Sequence, residues 1–489
     1  MHAAQVAAIC LQHTAFMSGK PTIIQGGMGA GVSSWLLARA VSSLGQLGVV
    51  SGVALDAILA RRLQDGDGDG STRRALDQFP IRSMAERVLQ KYFVPGGKQA
   101  VAPYRAVPMH SVGEARSLTE LCIVGNFVEV FLAREGHDHP VGINYLEKIQ
   151  IPHLPSIYGA MLAGVGFVLV GAGIATRIPG VLDRFVNHQP ASYELAVTGA
   201  ESGEITAMHF DPRDYASDLP PLQRPQFLAI VSSNVLATTL IRRSTGRVDG
   251  FIIEGPDAGG HNAPPRGKLQ LDDTGQPVYG EKDLVDLEKI RELGLPFWLA
   301  GRQATPEKLQ AARRAGAAGI QVGTAFAFCE ESGLKREYRE ALLQKSVSKT
   351  ASVFTDPLAS PTSFPFKVAM LENTLSDAHV YLARERVCDL GFLREAYRTA
   401  EGSVGYRCPA EPIDAYVNKG GDVANTAGRK CLCNALVSNI GMAQTRKGGY
   451  VEPPFITAGD DLVDIARFLP PGQSTYSAKN VVEALLAGA

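Results

Sequence analysis

The chain has 489 residues, 45% of them hydrophobic and 20% charged, a composition typical of a globular protein long enough to bury a large core. Its 48 basic and 49 acidic residues leave a formal net charge of −1, without the basic excess expected of a protein that binds nucleic acid or an anionic membrane. The seven cysteines do not suggest a disulfide framework, and the first twenty residues lack the features of a secretion signal, so we expect a cytoplasmic protein.

Eight short apolar runs that end in glycine or another small residue recur along the chain. Such runs are typical of strands covered on both faces, as in a parallel sheet enclosed by helices. Helical patterns separate several of them; in the clearest, Thr305 suits the N-cap, Pro306 the first turn and Gly316 the end. The eight runs cover residues 22–28, 45–52, 140–146, 166–173, 226–233, 248–255, 296–302 and 319–326.

The alternation of strands and helices predicts an α/β fold, and eight strands favour a TIM-type (β/α)8 barrel. We expect this barrel over residues 18–334, with helical insertions near 54–117 and 179–225, either of which could form a lid. Beyond the barrel, residues 335–489 combine helical patterns with loops rich in proline and glycine. We expect an appended, mostly helical C-terminal region packed on the barrel.

The strongest functional motif lies in residues 249–267 (DGFIIEGPDAGGHNAPPRG), where an apolar strand ends at Glu254 and a glycine pair precedes His261. Glycines let the backbone approach a flat ligand closely, because no Cβ intervenes. A histidine just past a barrel strand lies at the catalytic face, and its ordinary pKa lets it move protons near neutral pH. The alternative, a loop histidine that only caps a turn, stays open at this point.

Two further glycine-ended strands predict a phosphate site. The loops after the last two strands of a barrel often bind phosphate through backbone N–H groups. Gly301 and Gly323 would permit the approach, Thr324 adds a hydroxyl and Arg302 adds charge. These glycines could also serve only to start helices.

The first strand ends in IIQGGMG, in which Gly26, Gly27 and Met28 could lie against a flat ring. A glycine-rich turn without a ligand explains the same residues. No HExxH-type spacing and no second pair of ligands beside Cys431 and Cys433 is present, so we expect no metal site.

Five motifs occur in this order along the chain: PTIIQGGMG, GINYL, EGPDAGGH, LAGR and GIQVGTAF. Together they resemble the nitronate monooxygenase (2-nitropropane dioxygenase) family of FMN flavoproteins, over residues 19–328 without the insertions. The resemblance implies an FMN barrel in which His261 is the catalytic histidine. It also implies cofactor contacts at Gly26, Gly27, Met28, Gly259, Gly260, Gly301, Arg302, Gly323 and Thr324. Glu254, Asn144 and Ser232, all at strand ends, are further cofactor-binding candidates.

The chain departs from the family at two points. Arg302 stands where the family usually has a second glycine, and the insertions and tail exceed the compact members. The larger size resembles the trans-acting flavin enoyl reductases of polyketide and polyunsaturated fatty acid synthesis, which leaves the substrate open.

We therefore predict an FMN-dependent oxidoreductase that oxidises an alkyl nitronate with O2, with His261 as catalytic acid or base. The alternatives are an NAD(P)H-dependent trans-acting enoyl reductase that docks an acyl carrier protein, and an NAD(P)H:quinone reductase. A third alternative is a non-catalytic flavin-binding protein. The expected partner is a small-molecule substrate, and the sequence leaves a homo-oligomer open.

Overall fold

The computed structural model describes residues 20–216 and 218–487. Residues 1–19, on which the expectation about a secretion signal depends, lie outside the described residues. So do the last two residues of the predicted C-terminal region.

Eight parallel strands form the centre of the protein, one in each of the eight apolar runs. They are Ile23–Gln25 (β1), Gly48–Ser51 (β2), Val141–Leu146 (β3), Phe167–Gly171 (β4), Gln226–Val231 (β5), Gly250–Glu254 (β6), Phe297–Ala300 (β7) and Gly319–Val322 (β8). The sheet runs β1-β8-β7-β6-β5-β4-β3-β2, with every neighbouring pair parallel. A parallel bridge between Ile24 and Leu47 closes the circle, which confirms the predicted barrel.

A helix follows each strand. The barrel helices are Trp35–Ser43, Arg116–Arg134, His153–Leu162, Ile178–Val186, Asn234–Arg243, Leu287–Glu292, Pro306–Arg314 and Thr324–Ala327. The helix Pro306–Arg314 begins as expected, because the side chain of Thr305 accepts a hydrogen bond from the backbone N–H of Lys308. Gly316 follows its end with a φ of +88°, a left-handed conformation that glycine adopts without strain.

The strands are buried on both faces, which explains their continuous apolar pattern. Ile24, Leu169 and Trp298 belong to a cluster that fills the inside of the barrel. Ile23 and Val168 face outward, in the larger cluster formed with the helices. The indole N–H of Trp298 donates to the carbonyl of Pro21 at 2.7 Å, so this large interior side chain buries no unsatisfied donor.

The two insertions differ in structure. The first contains the helices Leu55–Gln64, Ser71–Asp77 and Arg82–Tyr92, as expected. The second contains a 3₁₀ turn, Pro212–Asp214, but it is mainly β: Ala191–Leu195 pairs antiparallel with Thr206–Phe210, and Val197–Thr198 joins Glu395–Arg398. The reason is local. Ala191 and Tyr193 are buried, whereas the residues between and after them are exposed, and this alternation is typical of a strand with one covered face.

The C-terminal region is less helical than expected. Its helices are Arg336–Val347, Ala378–Ala383, Ile413–Asn418, Leu432–Ser438 and Ala478–Leu486, with 3₁₀ turns at Val423–Thr426, Lys447–Gly449 and Asp460–Phe468. Long extended connections join these to the strands Val353–Asp356, Phe366–Ala369, Glu395–Arg398 and Val404–Arg407. Phe366–Ala369 pairs antiparallel with Gly260–His261, in the loop after β6. The region thereby covers the rim of the barrel where the predicted site residues lie.

Candidate functional site

A deep cavity opens at the carboxyl ends of the barrel strands. It encloses about 1620 Å³ counted out to its open mouth. Seven of the eight strands contribute residues to its lining, and for β1 the turn directly after the strand does so. The predicted site residues in its wall are Gly26, Gly27, Met28, Asn144, Glu254, Gly259, Gly260, His261, Gly301, Arg302, Gly323 and Thr324. The structure thus brings together every predicted site residue except Ser232.

The glycines of the turn after β1 line the cavity. A Cβ on Gly27 would lie 2.3 Å from the Cβ of Asn144, so no larger residue fits there unless Asn144 moves. The hydroxyl of Ser33 accepts from the backbone N–H of Met28 at 2.9 Å and donates to the carbonyl of Gly26 at 2.9 Å. Ser33 therefore fixes the shape of this turn, a role that the sequence analysis missed.

Gln321, next to Gly26, is a cavity residue that the sequence analysis also missed. It lies on β8, where its side chain is the nearest neighbour of a Cβ built on Gly26, at 3.5 Å. Its Oε1 is buried and has no hydrogen-bond partner among the described residues. An acceptor buried without a donor is costly, so this atom points to a ligand that donates a hydrogen bond.

The ends of β7 and β8 lie side by side. Ala300 pairs with Gln321, so residues 301–302 follow at the same level as residues 322–323. Gly301 has a φ of +90° and Arg302 a φ of +48°, so the arginine adopts the left-handed conformation that glycine favours. Thr324 begins the short helix after β8, and its hydroxyl accepts from the backbone N–H of Gly459 at 2.9 Å.

The structure places His261 in the cavity wall, paired in register with Phe366 of the C-terminal region. Its Nε2 lies 2.7 Å from the hydroxyl of Ser360, and its ring meets the ring of Phe366 edge to face at 4.9 Å. Burial, together with the nearby charge of Lys148, lowers the pKa of His261 to about 3. The imidazole is therefore uncharged at neutral pH, which argues against a cationic histidine that holds an anion.

Glu254 ends β6 at the boundary between the main cavity and a small neighbouring pocket. Burial raises the pKa of its carboxyl to about 7, so it titrates near neutral pH. Ser232 lines only the neighbouring pocket, where its carbonyl accepts from the guanidinium of Arg266 at 3.2 Å. Ser232 therefore does not line the main cavity, in contrast to the other predicted site residues.

Much of the cavity wall comes from the C-terminal region. Its apolar members are Phe366, Phe392, Leu393, Leu432, Leu436 and Ile456, and Cys433 lies among them. Residues 457–461 lie over the glycine loop before His261, where the N–H of Asp460 donates to the carbonyl of Asp257 at 3.0 Å. The sequence carries no local signal for this contact, because about two hundred residues separate its two halves.

Within the part of the chain that the structure describes, no group of three or more His, Cys, Asp or Glu side chains could hold a metal ion. In the same part, no helix has the length and apolar character needed to cross a membrane.

The comparisons with known proteins agree with the motifs. The family model described as nitronate monooxygenase matches residues 199–358, which include the His261 loop and the ends of β7 and β8. The nitronate monooxygenase of Pseudomonas aeruginosa is 32% identical over 141 residues, which cover 28% of this chain and 38% of that protein. The match thus spans less than half of the relative's length. The resemblance expected from the motifs is confirmed for this stretch.

Among solved structures, FabK from Thermotoga maritima is similar at a TM-score of 0.44 and 16% identity, with 98% of this chain and 95% of that chain covered. A nitroalkane oxidase from Streptomyces ansochromogenes has a TM-score of 0.43 at 15% identity, with 96% of each chain covered.

Proposed function

We propose, from the nitronate monooxygenase match and the cavity at the strand ends, that this chain is an FMN-dependent oxidoreductase that oxidises alkyl nitronates with O2. The observation that carries the proposal is the convergence of the predicted site residues on one cavity around His261. When bound, FMN would accept electrons from the substrate and pass them to oxygen. The protein would bind and orient both partners.

The residues present fit a flavin mononucleotide. The glycine backbone at residues 26–27 and 259–260 lines the cavity and suits close contact with a flat ring, and the buried Oε1 of Gln321 offers an acceptor for a ring N–H. The adjacent ends of β7 and β8 offer backbone N–H groups for a phosphate, with Arg302 at the rim. Arg302 is half-exposed and lies 3.8 Å from Asp464, so it could turn toward an anion.

His261 would act in the neutral form. An uncharged imidazole can accept or donate one hydrogen bond at Nδ1, the ring nitrogen that does not face Ser360. It would therefore orient a nitro or nitronate group, or exchange a proton with the substrate, rather than neutralise a negative charge. Substrate and FMN would share the same wall, because Gly260 and His261 are consecutive.

A second candidate is the reduction of an enoyl thioester with NAD(P)H as electron donor. The apolar wall from the C-terminal region favours it, because a small nitronate does not require six large apolar side chains whereas an acyl chain would contact them. An acyl carrier protein would then be a partner.

The absorption spectrum of the purified protein tests the proposal, followed by anaerobic addition of either an alkyl nitronate or NAD(P)H. We expect a bound flavin that chromatography identifies as FMN and that the nitronate bleaches. Bleaching by NAD(P)H alone would favour the second candidate. Protein that stays colourless after incubation with FMN would overturn both. A His261→Gln variant should retain the flavin and lose most turnover.

A further inference from the structure

Behind His261, away from the cavity, a chain of hydroxyl groups leads to a lysine. Nε2 of His261 lies 2.7 Å from Oγ of Ser360, and this oxygen lies 2.8 Å from Oγ1 of Thr362. Nζ of Lys148 donates to the same Oγ1 at 3.0 Å. Each separation is a hydrogen-bond distance, so the four groups form a continuous path from the cavity wall to an amine.

Lys148 is unusual for a lysine. It follows β3, with its Nζ over the ring of Phe364 at 2.9 Å from the ring centroid and Thr362 as its hydrogen-bond acceptor among the described residues. Its acidic neighbour Glu147 is engaged elsewhere, because its carboxylate accepts from Gln150 at 2.7 Å and from the hydroxyl of Tyr193 at 3.1 Å. Lys148 is half-buried and has no ion-pair partner within residues 20–216 and 218–487. A charged ammonium in such a position is costly to stability, and groups of this kind concentrate at functional sites.

The hydroxyls are held in place by a buried arginine. Ser360 is fully buried, and the guanidinium of Arg429 donates to the carbonyls of Ser360 and Leu358. The same side chain donates to the hydroxyl of Ser363 at 3.1 Å. Arg429 thus fixes the loop that carries Ser360 and Thr362, and acts as a positioning residue.

We propose that Ser360 and Thr362 form a proton path between Lys148 and Nε2 of His261, through which Nδ1 exchanges a proton with a substrate carbon while the ring stays uncharged. The inference rests on the proposed function, from which it takes the substrate class. It extends that class from nitronates to neutral nitroalkanes. A nitronate lacks the proton that the path would remove, whereas a nitroalkane carries it on the carbon next to the nitro group.

In the direction of removal, the proton moves from the substrate carbon toward Lys148. The C–H bond breaks with its electron pair left on carbon, and the proton bonds to Nδ1 of His261. The proton on Nε2 passes to Ser360, the hydroxyl proton of Ser360 to Thr362, and that of Thr362 to the neutral amine of Lys148. Lys148 then releases a proton to water, since its side chain is partly exposed. The reverse sequence would protonate a carbon after hydride transfer, as enoyl reduction requires.

The direction of the pH dependence follows from the surroundings of Lys148. Burial lowers the pKa of Lys148 to about 7, although the neighbouring Glu147 raises it in part. Tyr193, bound to Glu147, and Arg429, behind the loop, are further titratable or charged groups near the path. Proton removal needs the neutral amine, so the rate with a nitroalkane should rise through pH ~7. Proton donation needs the ammonium, so enoyl reduction should fall through the same range.

The test compares a neutral nitroalkane with its preformed nitronate, at several pH values, in holoenzyme with Lys148→Met or Thr362→Val. Both variants should lose on the order of a hundred-fold in kcat on the nitroalkane near pH 8, and retain the rate on the nitronate. Thr362→Ser keeps the hydroxyl and should recover the nitroalkane rate. Unchanged rates on both substrates, or equal losses on both, would overturn the path.

A second readout does not depend on turnover. The readout is nitrogen-15 NMR of histidine-labelled protein, with the His261 signals assigned from the His261→Gln variant. The chemical shifts of the His261 ring nitrogens should change in a step near pH ~7, and Lys148→Met and Thr362→Val should abolish this step. If the wild-type protein oxidises neither substrate, the proposed function fails and this step still decides the path. No step in the wild-type protein would overturn it.

Discussion

Gly259 and Ala458 pack so closely that a Cβ added to Gly259 would lie 2.7 Å from the carbonyl carbon of Ala458. The same Cβ would lie 2.7 Å from the backbone nitrogen of Gly459. Both neighbours are backbone atoms, so neither can rotate away. This contact joins the glycine loop before His261 to the C-terminal region, and it closes one side of the cavity.

Gly259→Ala should therefore separate the two segments. We expect a loss of about 1–3 kcal/mol in the free energy of unfolding, because the backbone must shift to admit the methyl group. Retention of flavin should fall as well. Thermal unfolding and the flavin content of the purified variant measure the two effects. Gly255→Ala is the matched control, since a Cβ there meets its nearest neighbour, the carbonyl of Ala300, at 3.8 Å. Equal effects of the two substitutions would contradict the argument.

Lys367→Met should destabilise the same side of the cavity. Nζ of Lys367 lies 2.7 Å from the carboxylate of Asp460, and the lysine side chain is only 7% exposed. Removal of the cation leaves the partly buried carboxylate of Asp460 without a counter-charge beside Asp257. We therefore expect a loss of about 3 kcal/mol or more in the free energy of unfolding. Urea denaturation measures it, and Asp460→Asn in the same chain should restore part of the loss.

Lys479→Met provides the control for that experiment. Its partner Glu483 lies 3.6 Å away and both side chains are more than half exposed. The free energy of unfolding should therefore change by no more than about 0.5 kcal/mol. A comparable loss in both variants would show that the buried pair has no special role.

His110 should make the stability of the protein depend on pH. Burial alone would lower its pKa, but hydrogen bonds to Asp56 at 2.9 Å and Glu114 at 2.7 Å outweigh burial and raise the pKa to about 10. The unfolded-state pKa is about 6.5, so the stabilisation is fully present below pH ~6.5 and is lost as pH rises toward the folded pKa. The free energy of unfolding should fall by a few kcal/mol across that window. Urea denaturation of the wild-type protein and of His110→Gln at the two ends of the window isolates the effect. An equal change of the free energy of unfolding with pH in both proteins would argue against it.

Arg429→Lys should loosen the loop that carries Ser360. A lysine cannot reproduce the planar guanidinium that donates to three carbonyls and to the hydroxyl of Ser363. We therefore expect a loss of about 1–3 kcal/mol in the free energy of unfolding. Hydrogen exchange over residues 357–363 should become faster. Arg336→Lys, at an exposed position at the start of a helix, should change neither quantity. Unaltered exchange in the Arg429 variant would mean that the loop is held by other contacts.

The sequence by itself determined the barrel and the residues around its mouth. Each strand is apolar on both faces and ends in small residues, a local pattern that does not depend on distant contacts, so β1 to β8 were all predictable. Gly26 and Gly301 follow strands directly and His261 lies in the loop after β6, and parallel strands place their carboxyl ends at one rim. Ser232 shows the limit of this reasoning: position after a strand does not determine which of two adjacent pockets a residue lines.

Only the tertiary structure decided which segments cover the rim of the barrel and whether the imidazole of His261 carries a charge. The pairing of residues 260–261 with residues 366–367 joins segments about one hundred residues apart, and an antiparallel pair of this kind leaves no periodic signal in either segment. The protonation of His261 depends in turn on its burial against the C-terminal region and on the nearby charge of Lys148. Hydrogen bonds through Thr362 and Ser360 link Nζ of Lys148 to the ring. Burial and through-space charge belong to the folded arrangement, because they arise from neighbours that the order of residues does not place together.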